Sequence, residues 1–404
     1  MKLSLLRSKV VASPYLLLGP LLLFVAFFFV APIASMLLRS VHSTEVLRGL
    51  PETAEALRGW EMQGLPEDEA FAALHRDLVH PERRSLRAEA GRRLNYELPG
   101  LRELIILTAR KLRRMEPPAS ASNAKALLVA VDERWRDSRI WSILKRASSP
   151  YTSHFLLAAV DLTRSPQGEI VPVEEGRRIF VDILVRTMTV SFFVTLICLL
   201  VGYPFANFMV RSSGAIRLLS LVAILLPFWT SLLVRTSSWI VVLQREGVVN
   251  SLLDRLGLVQ EPPQLVFNRL GVYIVMVHIL IPFMVLPIYS NMKNVSDIYT
   301  KAAASLGANP LQSFLRVYLP LTLPGVVSGC IVTFVVCIGY YITPALVGGP
   351  NDQMIGYFIA FYTNTELNWG MASALALILL GIVLLLYYAL SRTVGLGSLM
   401  GGSR

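Results

Sequence analysis

Charge is missing from long stretches of this 404-residue chain. Residues 15–38, 187–210, 270–292, 317–347 and 367–391 contain no Asp, Glu, Lys or Arg, and a similar apolar stretch, 218–244, contains only Arg235. Each reaches the roughly 20 residues that an apolar helix needs to cross a bilayer. With 54% hydrophobic residues and a mean hydropathy of +0.56, they exclude an ordinary soluble protein. The spans hold no carboxylate, so the charge-coupling groups of a self-sufficient secondary transporter reduce to Arg235 and His278. Cysteine is scarce as well: Cys198, Cys330 and Cys337 all sit inside spans. The last two are separated by about 10 Å of helical rise and cannot bridge. No metal-ligand spacing, catalytic cluster or internal repeat is visible. There is no G-x-x-x-x-G-K-[ST] phosphate loop, so any ATP chemistry must come from another chain and the protein itself carries no cofactor.

What charge there is lies apart from the spans. Residues 39–178 carry 23 of the 38 Lys and Arg and 20 of the 27 acids, which marks them as a soluble insertion. Residues 66–80 and 99–115 place apolar side chains at three- and four-residue spacing, and Pro66 and Pro81 suit first turns, so several packed helices are predicted. The net charge of +11 needs no nucleic-acid partner, because no aromatic-basic binding motif accompanies it. Most of the remaining bases flank spans: Arg211, Arg217, Lys293, Lys301, Arg316 and Arg392 fall on the side of the N-terminus, whereas residues 348–366 have no Lys or Arg. The positive-inside rule therefore puts both termini and the 293–316 loop in the cytoplasm and the insertion outside, since long loops translocate largely regardless of charge. Lys2, Arg7 and Lys9 precede the first span, whose apolar run is too long for a cleavable signal and is read as retained. Residues 245–269 read as a partly amphipathic helix along the outer interface.

The densest signal is KAAASLGANPLQSFLRVYLPLTLPG, residues 301–325. Segments 298–306 and 311–319 can each form a short amphipathic helix, broken where Gly307 tolerates a left-handed backbone and Pro310 starts the next turn. Two short helices at an angle make a compact knob. Ala302, Ala303 and Ala304 keep one face thin, while Phe314, Leu315 and Tyr318 offer apolar anchors.

That loop, together with GYPFANFMVR (202–211), LPFWTSLLVRTSSW (226–239), IPFMVLPIYSNMKNV (281–295) and GYYITPALVGGPNDQMIG (339–356), resembles the permease subunits of binding-protein-dependent ABC importers, and among them the spermidine/putrescine type. The resemblance implies an all-α membrane protein with the six-span type I importer permease fold. Residues 1–38 would be the N-terminal tail and first span, 39–178 a large helical extracytoplasmic insertion, and 179–404 a five-helix core with a coupling loop at 293–320. It implies an inner-membrane transport subunit rather than an enzyme. Its partners would be an ATPase dimer that binds the ATP, a second permease in a heterodimer, an external solute-binding protein and the bilayer. Lys301, Ala302, Ala303, Gly307, Ala308 and Phe314 would engage the ATPase.

Two positions depart from the family pattern. Lys301 stands where Glu usually opens the loop, and a cation cannot accept a carboxylate's hydrogen bonds. Tyr340 stands where polyamine permeases commonly carry an acid. Trp229, Arg235, Tyr340 and Tyr341 are expected to line the path, brought together by half-broken spans at Pro227 and between Gly339 and Pro344. Arg235 reads somewhat more readily as a snorkelling cation near the interface. His278 reads as a packing residue, Asp352 as a turn residue, and Gly325 with Gly329 as a close helix contact. The solute reads as small and polar: a polyamine, an opine or an amino-acid derivative, with the last two slightly favoured because Arg235 would repel a bare polyamine unless otherwise paired. The insertion either enlarges the docking surface for a binding protein or caps the core. A secondary transporter or channel is the competing reading.

Overall fold

The computed structural model describes residues 14–165 and 168–393, so Lys2, Arg7 and Lys9 lie outside the described residues. The described residues form two compact units, those of 14–178 with 366–378 and those of 179–365 with 379–393.

The first unit begins with α1 (Leu18–Leu38), none of whose apolar window is buried against the rest of the chain. A π turn at Ala26–Val30 widens it just ahead of Pro32, where the proline ring would otherwise meet the carbonyl four residues back. A helical bundle follows: α2 (Glu45–Gly49), α3 (Pro51–Ala56), α4 (Asp68–Val79), α5 (Arg84–Asn95), α6 (Leu101–Leu112), α7 (Ala121–Val131), α8 (Ser138–Ala147) and α9 (His154–Ala158). Pro81 does occupy a first turn, of a short 3-10 segment, whereas Pro66 lies ahead of α4, whose cap is Glu67. The periodic apolar faces of α4, α6 and α8 enclose Phe71, Trp135 and Trp141, all fully buried. Both indoles keep their N–H groups paired: Trp135 donates to Thr108 Oγ1 at 3.1 Å and Trp141 to the Trp135 carbonyl at 3.0 Å. The buried Asp77 carboxylate is likewise matched, accepting from the Thr53 N–H, the Thr53 hydroxyl and Arg83 at 2.8, 2.8 and 2.9 Å. The helices are joined by one short antiparallel ribbon, β1 (Leu162–Arg164) with β2 (Ile170–Pro172), in which Thr163 faces Val171.

The second unit is built on α10 (Phe180–Arg211), α11 (Gly214–Leu225), α12 (Leu232–Leu243), α13 (Val248–Arg255), α14 (Arg269–Lys293), α15 (Asp297–Ser305), α16 (Pro310–Gly339), α17 (Ile342–Val347), α18 (Ile355–Asn364) and the end of α19 (Trp369–Thr393), which starts in the first unit. By length and composition α1, α10, α14, α16 and α19 can each cross a membrane, and residues 214–229 with 232–255 form an apolar pair bent by 103° that makes a sixth crossing if taken as one span.

The central helix is α14, packed along both α10 and α16. Close approach is possible because the facing residues are glycines: a Cβ on Gly325 would lie 2.5 Å from Asn291 Cβ, and one on Gly329 would lie 2.8 Å from the Met284 carbonyl oxygen. The Gly325/Gly329 pair thus acts as the small-residue seam expected of it. Two hydrogen bonds tie α10 directly to α16: Tyr203 meets the Thr322 hydroxyl at 3.0 Å, and Tyr318 donates to Asn207 at 3.3 Å.

Candidate functional site

The knob is built as local chemistry dictates. Gly307 takes φ +87, the Gly307 N–H bonds to the Ala304 carbonyl and the Ala308 N–H to that of Ala303, each at 3.0 Å. Those two bonds are the paired closure of a Schellman C-cap. Two residues on, Asn309 and Gln312 form a reciprocal capping box and Pro310 fills the first helical position. Helix α15 therefore stops and α16 starts within a few residues.

The faces of the knob differ from expectation. Tyr318 is buried, and Phe314 turns inward, its ring 6.2 Å from Tyr203 and 6.0 Å from Tyr318, so these two anchor the knob to its own core. Leu315 projects as expected, and further out stand side chains the sequence did not single out: Leu306 is 89% exposed, Ile298 71% and Leu311 66%. Lys301 and Ala302 lie on the exposed surface and Ala303 and Ala308 are half-buried. Arg211, Ala304, Ala308, Pro310 and Phe314 line a cleft beside the knob. The second short helix does not end near residue 319 but runs on as α16 to Gly339, through a π turn at Phe314–Tyr318 placed ahead of Pro320 just as the first π turn precedes Pro32.

The two broken spans meet. Pro227 sits in a 3-10 turn, Thr230 is extended, and α12 restarts at Leu232. This break exposes carbonyls at membrane depth, where each needs a partner. Arg235 supplies it: Nη2 donates to the Thr230 carbonyl at 2.9 Å and to the Pro227 carbonyl, and Nε donates to Thr230 Oγ1 at 3.1 Å. In the fifth crossing segment the helix stops at Gly339, Tyr340 is extended, and α17 restarts at Ile342. The two restarted pieces touch through Thr236 and Thr343, whose hydroxyls lie 3.3 Å apart.

The four path residues are only partly convergent. Arg235 and Tyr340 are within electrostatic reach, Tyr340 being half-buried against the core. Trp229 is 74% exposed and Tyr341 38% exposed, and neither lines the cleft beside the knob. His278 is a packing residue whose Nδ1 accepts from the Trp239 indole at 3.1 Å. Asp352 does close its turn, accepting from the Gly349 N–H at 3.1 Å, and also pairs with Arg269 at 2.9 Å, a link that residue spacing could not reveal.

Comparison with known proteins places these features. Residues 177–394 match the family of binding-protein-dependent transport system inner membrane components. The chain is 34% identical over 217 residues to the spermidine/putrescine transport system permease protein PotB of Escherichia coli (strain K12), covering 53% of this chain and 79% of that protein. It is also 34% identical over 231 residues to the inner membrane ABC transporter permease protein YdcU of the same strain, covering 53% and 72%. A solved bacterial alginate ABC transporter in complex with an alginate pentasaccharide-bound periplasmic protein overlaps 53% of this chain and 78% of that one, at 15% identity and a TM-score of 0.47. With over half of its length inside the family match and helices apolar enough for five or six crossings, the chain belongs to the binding-protein-dependent transport system inner membrane components and is a permease subunit of an ABC importer, not an enzyme.

Proposed function

We propose that this permease forms one half of a translocation path for a polyamine-class organic cation, delivered from outside by a solute-binding protein and driven by an ATPase dimer that grips the knob at 297–313. A second, different permease completes the path, and both termini face the cytoplasm. The observation that carries the reading is the knob itself: a rigidly capped pair of helix ends presenting Leu306, Ile298 and Leu311 to solvent, next to thin alanine faces. Apolar side chains fixed in water by two caps are a docking anchor for another protein's groove. ATP closure transmitted through such a knob would tilt α16, which runs from it without interruption to the break at Gly339.

The polyamine assignment is supported by the resemblance to PotB and by the state of Arg235. A bare guanidinium beside the path would repel a polycation; here its charge is turned onto the carbonyl dipoles of Pro227 and Thr230. Tyr340 and Tyr341, at the second break, offer ring faces that attract organic cations. The test is ATP hydrolysis by the reconstituted complex with binding protein presented with spermidine, putrescine, an opine or an amino acid. Stimulation by the polyamines alone supports the assignment, and stimulation only by opines or amino acids overturns it while leaving the importer reading intact. Solute accumulation that needs no ATP would instead support a secondary transporter.

A further inference from the structure

The family match leaves the insertion unassigned, and the first unit contains a cleft with a chemistry of its own. It holds about 550 Å³ and lies where α1 ends, α2 and α5 pass and α19 begins. Four arginines line it, Arg39, Arg48, Arg92 and Arg93, against two acids, Glu45 and Glu89. The acids offset them only in part. Glu89 is 3.9 Å from Arg48, with both side chains about half exposed, and Glu45 accepts instead from the Ser43 hydroxyl at 2.6 Å. Among the described residues no ion pair is recorded for Arg39 or Arg92.

Arg93 is the informative member. It is 3% exposed, its Nε donates to Ser43 Oγ at 3.1 Å, its Nη2 pairs with Glu97 at 2.8 Å, and its guanidinium stacks 4.7 Å from the Phe155 ring centroid. Its Nη1, also buried, has no hydrogen-bond partner. An unpaired guanidinium donor in a cleft with surplus positive charge is a site for an anion acceptor, since leaving such a group unmatched is costly.

The position of the cleft selects the anion. Arg39 directly follows Leu38, the last residue of an apolar span, and its guanidinium lies over the ring of Trp369, the first residue of another, at 5.5 Å. Arginine and tryptophan at the ends of two spans mark the headgroup level of a bilayer. The last turns of α1, which lead up to Arg39, expose apolar side chains, with Leu38 60% and Ile33 55% exposed. A ligand with an anionic head and hydrocarbon tails fits both parts.

We propose that this cleft binds the headgroup of an anionic phospholipid, its phosphodiester oxygens taken by Arg39, Arg92 and Arg93 and its acyl chains lying along α1. That the lipid comes from the outer leaflet rests on the topology proposed above; the binding itself does not. The probes are phosphatidylglycerol, phosphatidylcholine and inorganic phosphate, each titrated into the purified full-length permease in neutral detergent and read by native mass spectrometry and thermal shift. Phosphatidylglycerol should bind at least tenfold more tightly than either comparison probe, and the exposed-side double variant R39Q/R92Q should lose at least tenfold of that affinity. The buried R93Q variant should weaken it further if it folds, but the double variant decides the matter alone. Equal affinity of R39Q/R92Q and wild type for phosphatidylglycerol would overturn the site. Equal binding of inorganic phosphate would overturn the lipid assignment. Loss of binding-protein stimulation in R39Q/R92Q with lipid affinity unchanged would show an acidic protein surface to be the occupant instead. Because detergent binding is blind to sidedness and to ATP, its failure would leave the transport reading untouched.

Discussion

At the scale of single residues, Arg235 and Gly307 carry the sharpest predictions, and in both the structure changes the reason. Arg235 holds the broken span by filling two carbonyls, so Arg235→Gln or Arg235→Lys should destabilise the permease, each carbonyl left unpaired costing about 1–3 kcal/mol. A thermal melt of the detergent-solubilised protein checks this, and an unchanged melting point would remove the capping role. At Gly307 an added Cβ would meet nothing within 4 Å, so any penalty comes from φ +87 alone. Left-handed backbone costs roughly 1–2 kcal/mol for a residue with a Cβ. Gly307→Val should therefore uncouple ATP hydrolysis from uptake more than Gly307→Asn does, and equal activity of the two would show the turn is not strained. In the first unit, His154 is partly buried, and burial, with Arg93 and Arg146 nearby and Glu97 opposing, holds its pKa down to about 4 from the ordinary 6.5. The unfolded chain then takes up the extra proton first, so the stability given by the neutral ring is complete above pH 6.5 and lost as pH falls towards 4. Melting of the protein should show that loss, and His154→Gln should flatten it.

At the scale of elements, the knob was legible where the chemistry is local. Gly307 between two helical periods and Asn309-Pro310 before the next are short-range signals, and the structure turns them into a Schellman cap and a capping box. Which apolar side chains project was not legible. Phe314, Tyr318 and Leu306 look alike at helical spacing, and only the packing of Tyr203 against Phe314 decides which turn inward. Hydropathy alone is blind for a related reason: a window counts apolar residues and does not see a 103° bend, whereas Pro227 signals the break that the sequence leads one to expect. The Thr236–Thr343 contact joins residues 107 positions apart, beyond the reach of periodicity. Leu306→Asp and Ile298→Asp should abolish association with the ATPase while leaving membrane insertion and melting temperature unchanged. Phe314→Ala should lower the melting temperature as well. Copurification with the ATPase separates the two classes.

At the scale of the whole molecule, the account joins a permease core that residues 177–394 identify to an insertion that precedes the match. The proposed topology puts the insertion outside the cell. Met115, exposed in the loop after α6, is a suitable place for Met115→Cys, since the native Cys198, Cys330 and Cys337 lie within spans. An impermeant thiol reagent should label it in intact cells, and labelling only after lysis would reverse the topology. The central claim is that the exposed knob couples this permease to ATP hydrolysis, and the most direct measurement is ATP-driven solute uptake by the complete complex in proteoliposomes, compared between wild type and Leu306→Asp. The account predicts uptake that depends on both ATP and binding protein in the wild type and is lost in the variant, whose permease pair remains assembled. Normal uptake by the variant, or wild-type uptake that persists without ATP, would contradict it.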